Sequence, residues 1–567
     1  MNRLVIILVF TLSGCSFAYD FEACQTKADC RFDHMCTADK LCRPLRTKAC
    51  NTVLGEEFVQ RGDDPLIIGV VTHLTGLGQP SGQSTKNAIE LAIAHINDPR
   101  VGGVLGAHAG RPLVALVCDD TTNAEAVPAI MQHLDEVGVP AVIGSNYSSV
   151  TKVLAQEAQE RRILAISPSS TAVGLSLDQD ADDQNDDFFW RTAPSDAFQG
   201  QAIAHFAAKR LISRHPDREV SVAVALVYVN DTYGRSLMGA TNGALGPFLM
   251  GSGLTVDVVE FPYEKGVTQT FETAVDYVLV DAPKTVILIG LDGSHSFFEL
   301  LRQRWHDSGG SESSPGFDPF VDIDFFASDG VRSGRLPAEF TARDDWLSEK
   351  PPFFFGTAYA GRTGDTYDRF AADYISRYLE EGDVPEAWTE HAYDATILMA
   401  FALAGNPTPT GETMVDTLKR LGEANASTYS VTDTSGLKNL LTSATGDRNV
   451  TLEGTSGLLV FDVATGERQK GDIRRWDIDV EATTFVECGL VGSAESIRLE
   501  VVDEMWCAAI CASDVADPAA CMAAYLRDGV APMCPGSCGA CIGPDGTCFE
   551  EDAVWCGTYF GNWCGAN

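Results

Sequence analysis

Between residues 63 and 480 the sequence alternates short apolar runs with segments that carry the apolar periodicity of helices. Continuously apolar runs such as 66–71 and Ala141–Gly144 are typical of strands that are buried on both faces. Segments such as 87–97 place their apolar residues along one stripe of a helix. Strands separated by helices of this length predict parallel sheets with helices on both faces, so we expect an α/β domain here.

The alternation gives a series of predicted elements. The strands are predicted at 66–71, 113–118, 141–144, 163–166, 222–229, 256–261, 286–289 and 324–327, with helices that include 87–97, 127–137 and 150–161. A region of roughly 400 residues exceeds the size at which one hydrophobic core usually suffices. We therefore expect two lobes, each built around its own sheet.

The seventeen cysteines are strongly clustered. Nine lie between Cys507 and Cys564, and four more recur every six residues near the start, at Cys24, Cys30, Cys36 and Cys42. Without Cys15 the count is sixteen, an even number, as a disulfide framework in an oxidising compartment requires. Zinc is the alternative, but no CxxC pair is followed by a second at finger spacing. We expect the first four cysteines to pair among themselves, and Cys50 with Cys118.

The cysteine clusters divide the chain into modules. Residues 15–62 are predicted to form a small cysteine-rich module and a linker, 63–480 the α/β domain, and 481–567 a second cysteine-rich module. The run Cys534-Pro-Gly-Ser-Cys538-Gly-Ala-Cys541 resembles the end of a ShK-type module. Both small modules are expected to be spacers or protein contacts rather than catalysts.

The first fourteen residues have the pattern of an export signal. Arg3 precedes an apolar run at 4–12 that is too short to span a bilayer. Leu12-Ser13-Gly14-Cys15 resembles the bacterial lipobox, in which the cysteine becomes the lipidated first residue. A signal peptide that is cleaved after Ala18 is the alternative. We expect the acyl chains on Cys15 to be the only membrane anchor, because no later stretch is apolar for long enough to span a membrane.

This expectation has a direct test. If Cys15 is lipidated, Cys15→Ser should release the protein from membranes and abolish its labelling with fatty acid. A wild-type protein whose mature N-terminus is unmodified Tyr19 would show that the alternative cleavage is correct.

Charge and motifs exclude several classes of function. The chain has 79 acidic and 41 basic residues, a net charge of −38, and this field repels nucleic-acid phosphates and anionic membrane surfaces. There is no GxSxG or HExxH motif, and the glycine-rich segment 78–85 lacks the P-loop lysine. The acidic run 178–187 lacks the glycine and distal glutamate of an EF-hand loop, so a solvated insertion is favoured over a calcium site. We expect no catalytic residue, metal or cofactor.

Two consecutive predicted strands end in turns that are rich in hydroxyl groups. The strand at 141–144 is followed by Ser145-Asn-Tyr-Ser148-Ser149, and the strand at 163–166 by Ser167-Pro-Ser169-Ser170-Thr171. In open parallel sheets, ligands lie outside the carboxyl ends of the strands, where helices begin with free backbone N–H groups. Two such turns favour a cradle for a carboxylate. Ordinary helix capping is the alternative, because Ser and Thr are preferred at that position.

An ordered series of motifs resembles the leucine/isoleucine/valine-binding proteins, over about residues 64–480. The series comprises Gly69-Val-Val-Thr-His-Leu-Thr-Gly76, Cys118-Asp-Asp120, Ile143-Gly-Ser-Asn-Tyr-Ser-Ser149, Ile166-Ser-Pro-Ser-Ser-Thr171, Trp190-Arg-Thr-Ala193, Asn230-Asp-Thr-Tyr-Gly234, Ala327-Ser-Asp-Gly330 and Gly454-Thr-Ser-Gly-Leu-Leu-Val-Phe-Asp462. The resemblance implies a type I periplasmic-binding fold, with two doubly wound parallel sheets, three crossovers and a ligand in the cleft. The first lobe would then comprise about 64–193 and 360–455, and the second about 194–359 and 456–480.

The resemblance also implies five ligand-binding residues. Ser148 stands where the family has a ligand hydroxyl, and Ser169 and Thr171 where it holds the α-carboxylate. Asp329 stands where an acidic residue, usually glutamate, pairs with the α-ammonium, and Tyr233 where an aromatic residue lines the cleft. A turn-forming role for Asp329 is the alternative.

Two positions depart from the family pattern. Ser81 or Pro80 stands where several members have an aromatic side chain, and Gly293 lies near another aromatic position. Phe297 and Phe298 are candidates to replace these rings. The pocket for the ligand's side chain is therefore not specified by the sequence.

The resemblance implies an exported solute-binding protein in the periplasm or at the cell surface, lipid-anchored to a bacterial membrane. Its ligand would be an amino acid or a related amide, and its partner an ABC permease or a signalling protein. The alternative from another class is a surface structural or adhesion protein with a vestigial cleft. Absence of thermal stabilisation by any member of a broad metabolite panel would favour that alternative.

Overall fold

The computed structural model describes residues 23–493 and two short strands, Ala540–Ile542 and Cys548–Glu550. Within the first range the gaps are 26–28, 32, 38, 77, 178–187, 216–219, 292, 311–316, 333–335, 337–352, 360–363, 379–384, 423–425, 470 and 480–483. The predicted lipidation site Cys15, the acidic run 178–187 and most of the C-terminal cysteine-rich module lie outside the described residues.

A six-stranded sheet forms the centre of the first lobe. Five strands are parallel, as their continuously apolar sequences predict, and one edge strand is antiparallel. In spatial order the strands are Thr52–Leu54, Leu113–Asp119, Leu66–Thr72, Ala141–Gly144, Leu164–Ser167 and Phe189–Arg191. The antiparallel strand is the first of these, which joins the N-terminal module to the edge of the sheet.

A seven-stranded sheet forms the centre of the second lobe. Its first five strands are parallel and its last two are antiparallel. In spatial order they are Thr255–Tyr263, Ser221–Val229, Thr285–Ile289, Asp324–Ala327, Phe353–Tyr359, Asp472–Asp479 and Thr484–Ser493. Smaller pairs and a three-stranded sheet add His34–Cys36, Cys42–Pro44, Ser427–Ser430, Val450–Gly454, Gly457–Leu459, Phe461–Asp462 and Glu467–Arg468.

Helices connect the strands and cover the sheets. They are Glu56–Arg61, Gln79–Ile96, Val127–Glu136, Ser148–Arg161, Gly174–Leu177, Asp196–Arg214, Thr232–Leu249, Glu272–Asp281, His295–Asp307, Pro319–Asp322, Asp365–Tyr378, Thr389–Ala404, Gly411–Leu418 and Thr434–Ser443. The most deeply buried is Thr389–Ala404, whose every residue is buried in the first lobe. None of the described helices is long and apolar enough to cross a membrane.

The chain passes between the lobes three times. The passages join Phe189–Arg191 to Asp196–Arg214, Phe353–Tyr359 to Asp365–Tyr378, and Glu467–Arg468 to Asp472–Asp479. Each lobe has its own hydrophobic core, because the helices between 365 and 443 return to pack on the first sheet. The prediction of two α/β lobes is confirmed.

The N-terminal module is held by disulfides, as the cysteine pattern predicts. Cys24 is bonded to Cys36, Cys30 to Cys42, and Cys50 to Cys118 in the first sheet. Leu45 and Cys50 belong to the same hydrophobic cluster as the helix Val127–Glu136. The module is therefore fastened to the first lobe by a covalent bond and by packing.

Candidate ligand-binding site

The two hydroxyl-rich turns of the first lobe lie against each other at the carboxyl ends of their strands. Ser148 is the first residue of the helix Ser148–Arg161, and its buried hydroxyl accepts from the N–H of Ala172 at 3.4 Å. The Ser169 hydroxyl donates to the carbonyl of Asn146 at 3.0 Å. Thr171 is buried beside them. The structure therefore brings the three predicted carboxylate-binding residues into one cluster.

Other hydroxyls in the same turns have a purely structural role. The carbonyl oxygen of Ser145 accepts from the hydroxyls of Thr151, Ser167 and Ser170 at 2.9, 2.8 and 3.2 Å. All three side chains are fully buried. The capping and turn-forming alternative is therefore correct for part of the pattern, and it leaves Ser148, Ser169 and Thr171 as the candidates for ligand contact.

The predicted residues of the second lobe form another cluster. Asp329 follows the strand Asp324–Ala327, and its Oδ1 accepts from the Gln199 amide at 3.0 Å and from the Tyr233 hydroxyl at 2.9 Å. Burial raises the pKa of the Asp329 carboxyl, and these two donors oppose that rise. Tyr233 is itself buried, and its hydroxyl holds Asp329 in place.

Asp196 lies between the two clusters, and the sequence reasoning missed it. It is the first residue of the helix Asp196–Arg214, and its N–H donates to the carbonyl of Thr171 at 2.8 Å. The side chain is fully buried, and among the described residues neither carboxylate oxygen has a well-formed hydrogen bond. Burial, assisted by the charge of Asp329, raises the pKa of Asp196 to about 7. The hydroxyls of Thr171 and Ser236 are close enough to oppose this rise in its pKa.

The sequence around Asp196 fits both a ligand-binding residue and an ordinary helix start. Ser195-Asp196 directly follows the Trp190-Arg-Thr-Ala193 motif, and it opens a long helix. A serine cap followed by an acidic residue in the first turn is an ordinary helix start. Nothing local shows that this carboxylate is buried against the opposite lobe.

A buried arginine fixes the loop that carries Thr171. The guanidinium of Arg191 donates to the carbonyls of Ser170 at 3.1 Å and Ala172 at 2.8 Å, and it pairs with Glu467, whose Oε2 is 2.8 Å from Nε. Arg191 and Glu467 belong to the first and third passages between the lobes. The loop is therefore held by residues of two of the three passages between the lobes.

The lobes are in contact across the cleft. The N–H of Val173 in the first lobe donates to the Ser236 hydroxyl in the second at 2.8 Å. The ammonium of Lys265, in the second lobe, lies 4.0 Å from the ring centroid of Tyr147 in the first. The structure is therefore that of a closed cleft.

The expected aromatic replacements are wrong. Phe297 and Phe298 are fully buried in the second core, where they pack against Phe271 and Phe325, so they do not line the cleft. Ser81 stands where several family members have an aromatic side chain, and its hydroxyl lies 3.0 Å from Nε2 of His73. The ring of His73 packs on Tyr147, with 4.8 Å between the ring centroids. This wall of the first lobe is polar rather than apolar.

Metal coordination needs several ligand side chains close together. The one cluster of suitable side chains among the described residues is Cys24, Cys30 and Cys36. Each of these sulfurs is already bonded in a disulfide, so this cluster is a structural staple.

The two-lobed region of the chain is similar to known proteins. Residues 65–303 match the family model described as periplasmic binding protein. This part of the chain is therefore similar to that family. A relative of the binding-protein domain is BasB of Halobacterium salinarum, described as the substrate-binding protein of a chemotactic signal transduction system. It is 26% identical over 355 residues, which are 61% of this chain and 72% of BasB.

Solved structures share the fold of the binding-protein domain. LivJ of Streptococcus pneumoniae, a branched-chain amino acid binding protein in complex with isoleucine, aligns with a TM-score of 0.50 and 17% identity over 76% of this chain and 99% of its own. A solute-binding protein of Rhodopseudomonas palustris in complex with benzoate aligns with a TM-score of 0.51 and 13% identity, over 75% and 96%. The type I periplasmic-binding fold and the resemblance to the branched-chain amino acid binding proteins are confirmed.

Proposed function

We propose that the binding-protein domain closes over an amino-acid-like ligand, whose carboxylate is held by the first lobe and whose ammonium is held by the second. The observation that carries this proposal is the placement of Asp196 and Asp329. Asp196 lies against the hydroxyl-rich turn of the first lobe at Thr171, and Asp329 is close enough to Asp196 for its charge to raise the pKa of Asp196. The lobes therefore present complementary groups to one small zwitterion.

The acidic side of the cleft favours a cation. Burial of a carboxylate without a positively charged partner destabilises its ionised form. This raises the pKa of both aspartates. A ligand ammonium supplies the missing positive charge without the need for a second charged side chain. Gln199 and Tyr233 hold Asp329 in place, so its carboxylate is preorganised for that contact.

The first lobe favours a carboxylate. Ser148 and Thr171 are buried hydroxyls of its two turns that do not hold the Ser145 carbonyl, and Ser169 lies half-buried beside them. Helix starts at the ends of parallel strands are suited to anions, because their first N–H groups point outward. The carbonyls of Ser170 and Ala172 are turned toward Arg191, so they do not oppose an anion on the other side of the loop.

The ligand class remains wider than the branched-chain amino acids. LivJ is described with isoleucine and the Rhodopseudomonas protein with benzoate, so one fold accommodates carboxylates with and without an amine. The aspartate pair favours the amine-bearing class here. The polar wall at Ser81 and His73 gives no support to an aliphatic side chain.

We further propose that the protein is exported, is anchored through Cys15 and delivers its ligand, rather than transforming it, to an ABC permease or a signalling partner. BasB and LivJ, a chemotaxis protein and a transport protein, support both kinds of partner. The sequence motifs support binding rather than catalysis. The two cysteine-rich ends are proposed to space the domain from the membrane or to contact proteins.

The test begins with the ligand itself. Small molecules that co-purify with the protein are identified by mass spectrometry after denaturation, and the twenty amino acids, their amides and benzoate are screened by thermal shift. At a ligand concentration of 100 times Kd, stabilisation of about 2.7 kcal/mol is expected. Stabilisation by deaminated acids as strong as by amino acids would overturn the proposed ligand class. No stabilisation by any compound would favour the vestigial cleft.

A further inference from the structure

A column of side chains crosses the cleft next to the proposed ligand site. Lys265, in the turn after the strand Thr255–Tyr263, places its ammonium 4.0 Å from the ring centroid of Tyr147. Tyr147 directly precedes Ser148 and stacks on His73, whose Nε2 lies 3.0 Å from the Ser81 hydroxyl. Lys265 belongs to the second lobe and the other members to the first. None of the five ligand-binding residues implied by the family resemblance is in this column.

The contact between Lys265 and Tyr147 exists only while the lobes are closed. A cation over an aromatic face is attracted by the negative charge of the ring, and the attraction is stronger for groups that are partly shielded from water. Both Lys265 and Tyr147 are half-buried. When the lobes separate, the ammonium and the ring must part, so the contact stabilises the closed form selectively.

The surroundings of Lys265 suit this role. Asp231 caps the helix Thr232–Leu249 through the N–H of Gly234 at 2.9 Å. Burial raises the pKa of the Asp231 carboxyl, and the nearby Lys265 ammonium opposes that rise. Burial lowers the pKa of His73 to about 4, so the imidazole beneath the Tyr147 ring is uncharged at neutral pH. Lys265 therefore approaches a neutral stack on one side while a carboxylate of its own lobe stabilises its charge on the other.

We propose that Lys265 is an affinity-determining residue, which latches the cleft through Tyr147 and holds neither the carboxylate nor the ammonium of the ligand. The expected effect of Lys265 on ligand affinity rests on the proposed function, whereas its expected effect on closure of the lobes does not. A cation–π contact between half-buried groups changes the ratio of closed to open protein by roughly three- to fivefold. The apparent affinity for the ligand changes by up to the same factor.

The test compares Lys265→Met, Lys265→Arg, Tyr147→Leu and the double variant Lys265→Met/Tyr147→Leu in the full-length protein. Small-angle scattering without ligand should give a larger radius of gyration for Lys265→Met and an unchanged one for Lys265→Arg, since Arg keeps the cation. Titration of the best amino-acid ligand should show a roughly three- to fivefold weaker affinity for Lys265→Met, and no further loss when that change is added to Tyr147→Leu. Lys284→Met removes an exposed lysine of the same lobe and should change neither quantity.

Two results would overturn the latch. One is an unchanged radius in Lys265→Met, which would show that the contact does not hold the empty protein closed. The other is an equal loss of affinity in the Tyr147→Leu background, which would show that Lys265 acts on the ligand directly. If no amino acid binds, the proposed function fails and the scattering comparison alone decides the latch.

Discussion

Asp329→Asn should weaken binding of the amino-acid ligand by roughly 30-fold or more, because the loss of one partner of a desolvated ion pair typically costs about 2–5 kcal/mol. The amide keeps the shape of the side chain, and its oxygen can still accept from Gln199 or Tyr233, so the fold is expected to survive. Only the charge that opposes the ligand ammonium is lost. Isothermal titration calorimetry on the identified ligand measures the change.

Matched variants separate this effect from general ones. Asp257→Asn removes an exposed carboxylate from the same lobe and should leave the affinity unchanged. Thr171→Ala and Ser148→Ala should cost less, about 0.5–1.5 kcal/mol each, because neutral hydrogen bonds are partly replaced by water. Unchanged affinity in Asp329→Asn would show that Asp329 is only a turn former.

Affinity for an amine ligand should rise as the pH rises from 5 to 7 and then level off. In the empty protein, burial raises the pKa of Asp196 to about 7, so below that pH the carboxyl is mostly protonated and neutral. Binding of an ammonium favours the ionised form and expels the proton. Affinity therefore increases by up to roughly tenfold per pH unit while one proton is released. Calorimetry in buffers of different ionisation enthalpy counts that proton.

The empty protein should show the opposite trend in stability. The pKa of Asp196 is higher in the folded than in the unfolded chain, so the folded state binds more protons between about pH 4 and 7. Its contribution to stability is present at low pH and is lost as the pH rises through about 7. Asp196→Asn should remove both pH dependences and weaken binding. An affinity that stays flat between pH 5 and 7 in the wild type would contradict the role of Asp196.

Much of the fold follows from local sequence. Ala141–Gly144 and Asp324–Ala327 have the predicted bounds, and most other predicted strands differ by one or two residues at an end. These strands are apolar throughout because both faces are covered, so periodicity and length suffice to find them.

Two of the strands that were not predicted, Asp472–Asp479 and Phe189–Arg191, depend on distant partners. Asp472–Asp479 alternates charged and apolar residues, and it becomes part of the second sheet because Trp476 packs on Gly356 and donates to the carbonyl of Thr357 at 3.1 Å. Phe189–Arg191 is only three residues long and was named only as a motif. Neither has the continuous apolar run that marks the other strands of the two sheets.

The site was predictable to the extent that it lies at strand ends. Ser148, Ser169 and Thr171 follow adjacent parallel strands, so their clustering follows from topology once the strands are known. Asp196 is different, because its burial is created by contact with the opposite lobe. Phe297 and Phe298 lie in the helix His295–Asp307. The sequence of this helix does not show whether its apolar face packs in the core or faces the cleft.

In the proposed function, one ligand joins the two lobes through its carboxylate and its ammonium. The most direct measurement is calorimetric titration of the identified amino acid and its deaminated analogue against the wild type and Asp329→Asn. We expect the wild type to prefer the amino acid by roughly 30-fold or more, and Asp329→Asn to lose most of this preference while it still binds the deaminated acid. A preference that is retained in full by Asp329→Asn would contradict the proposed function.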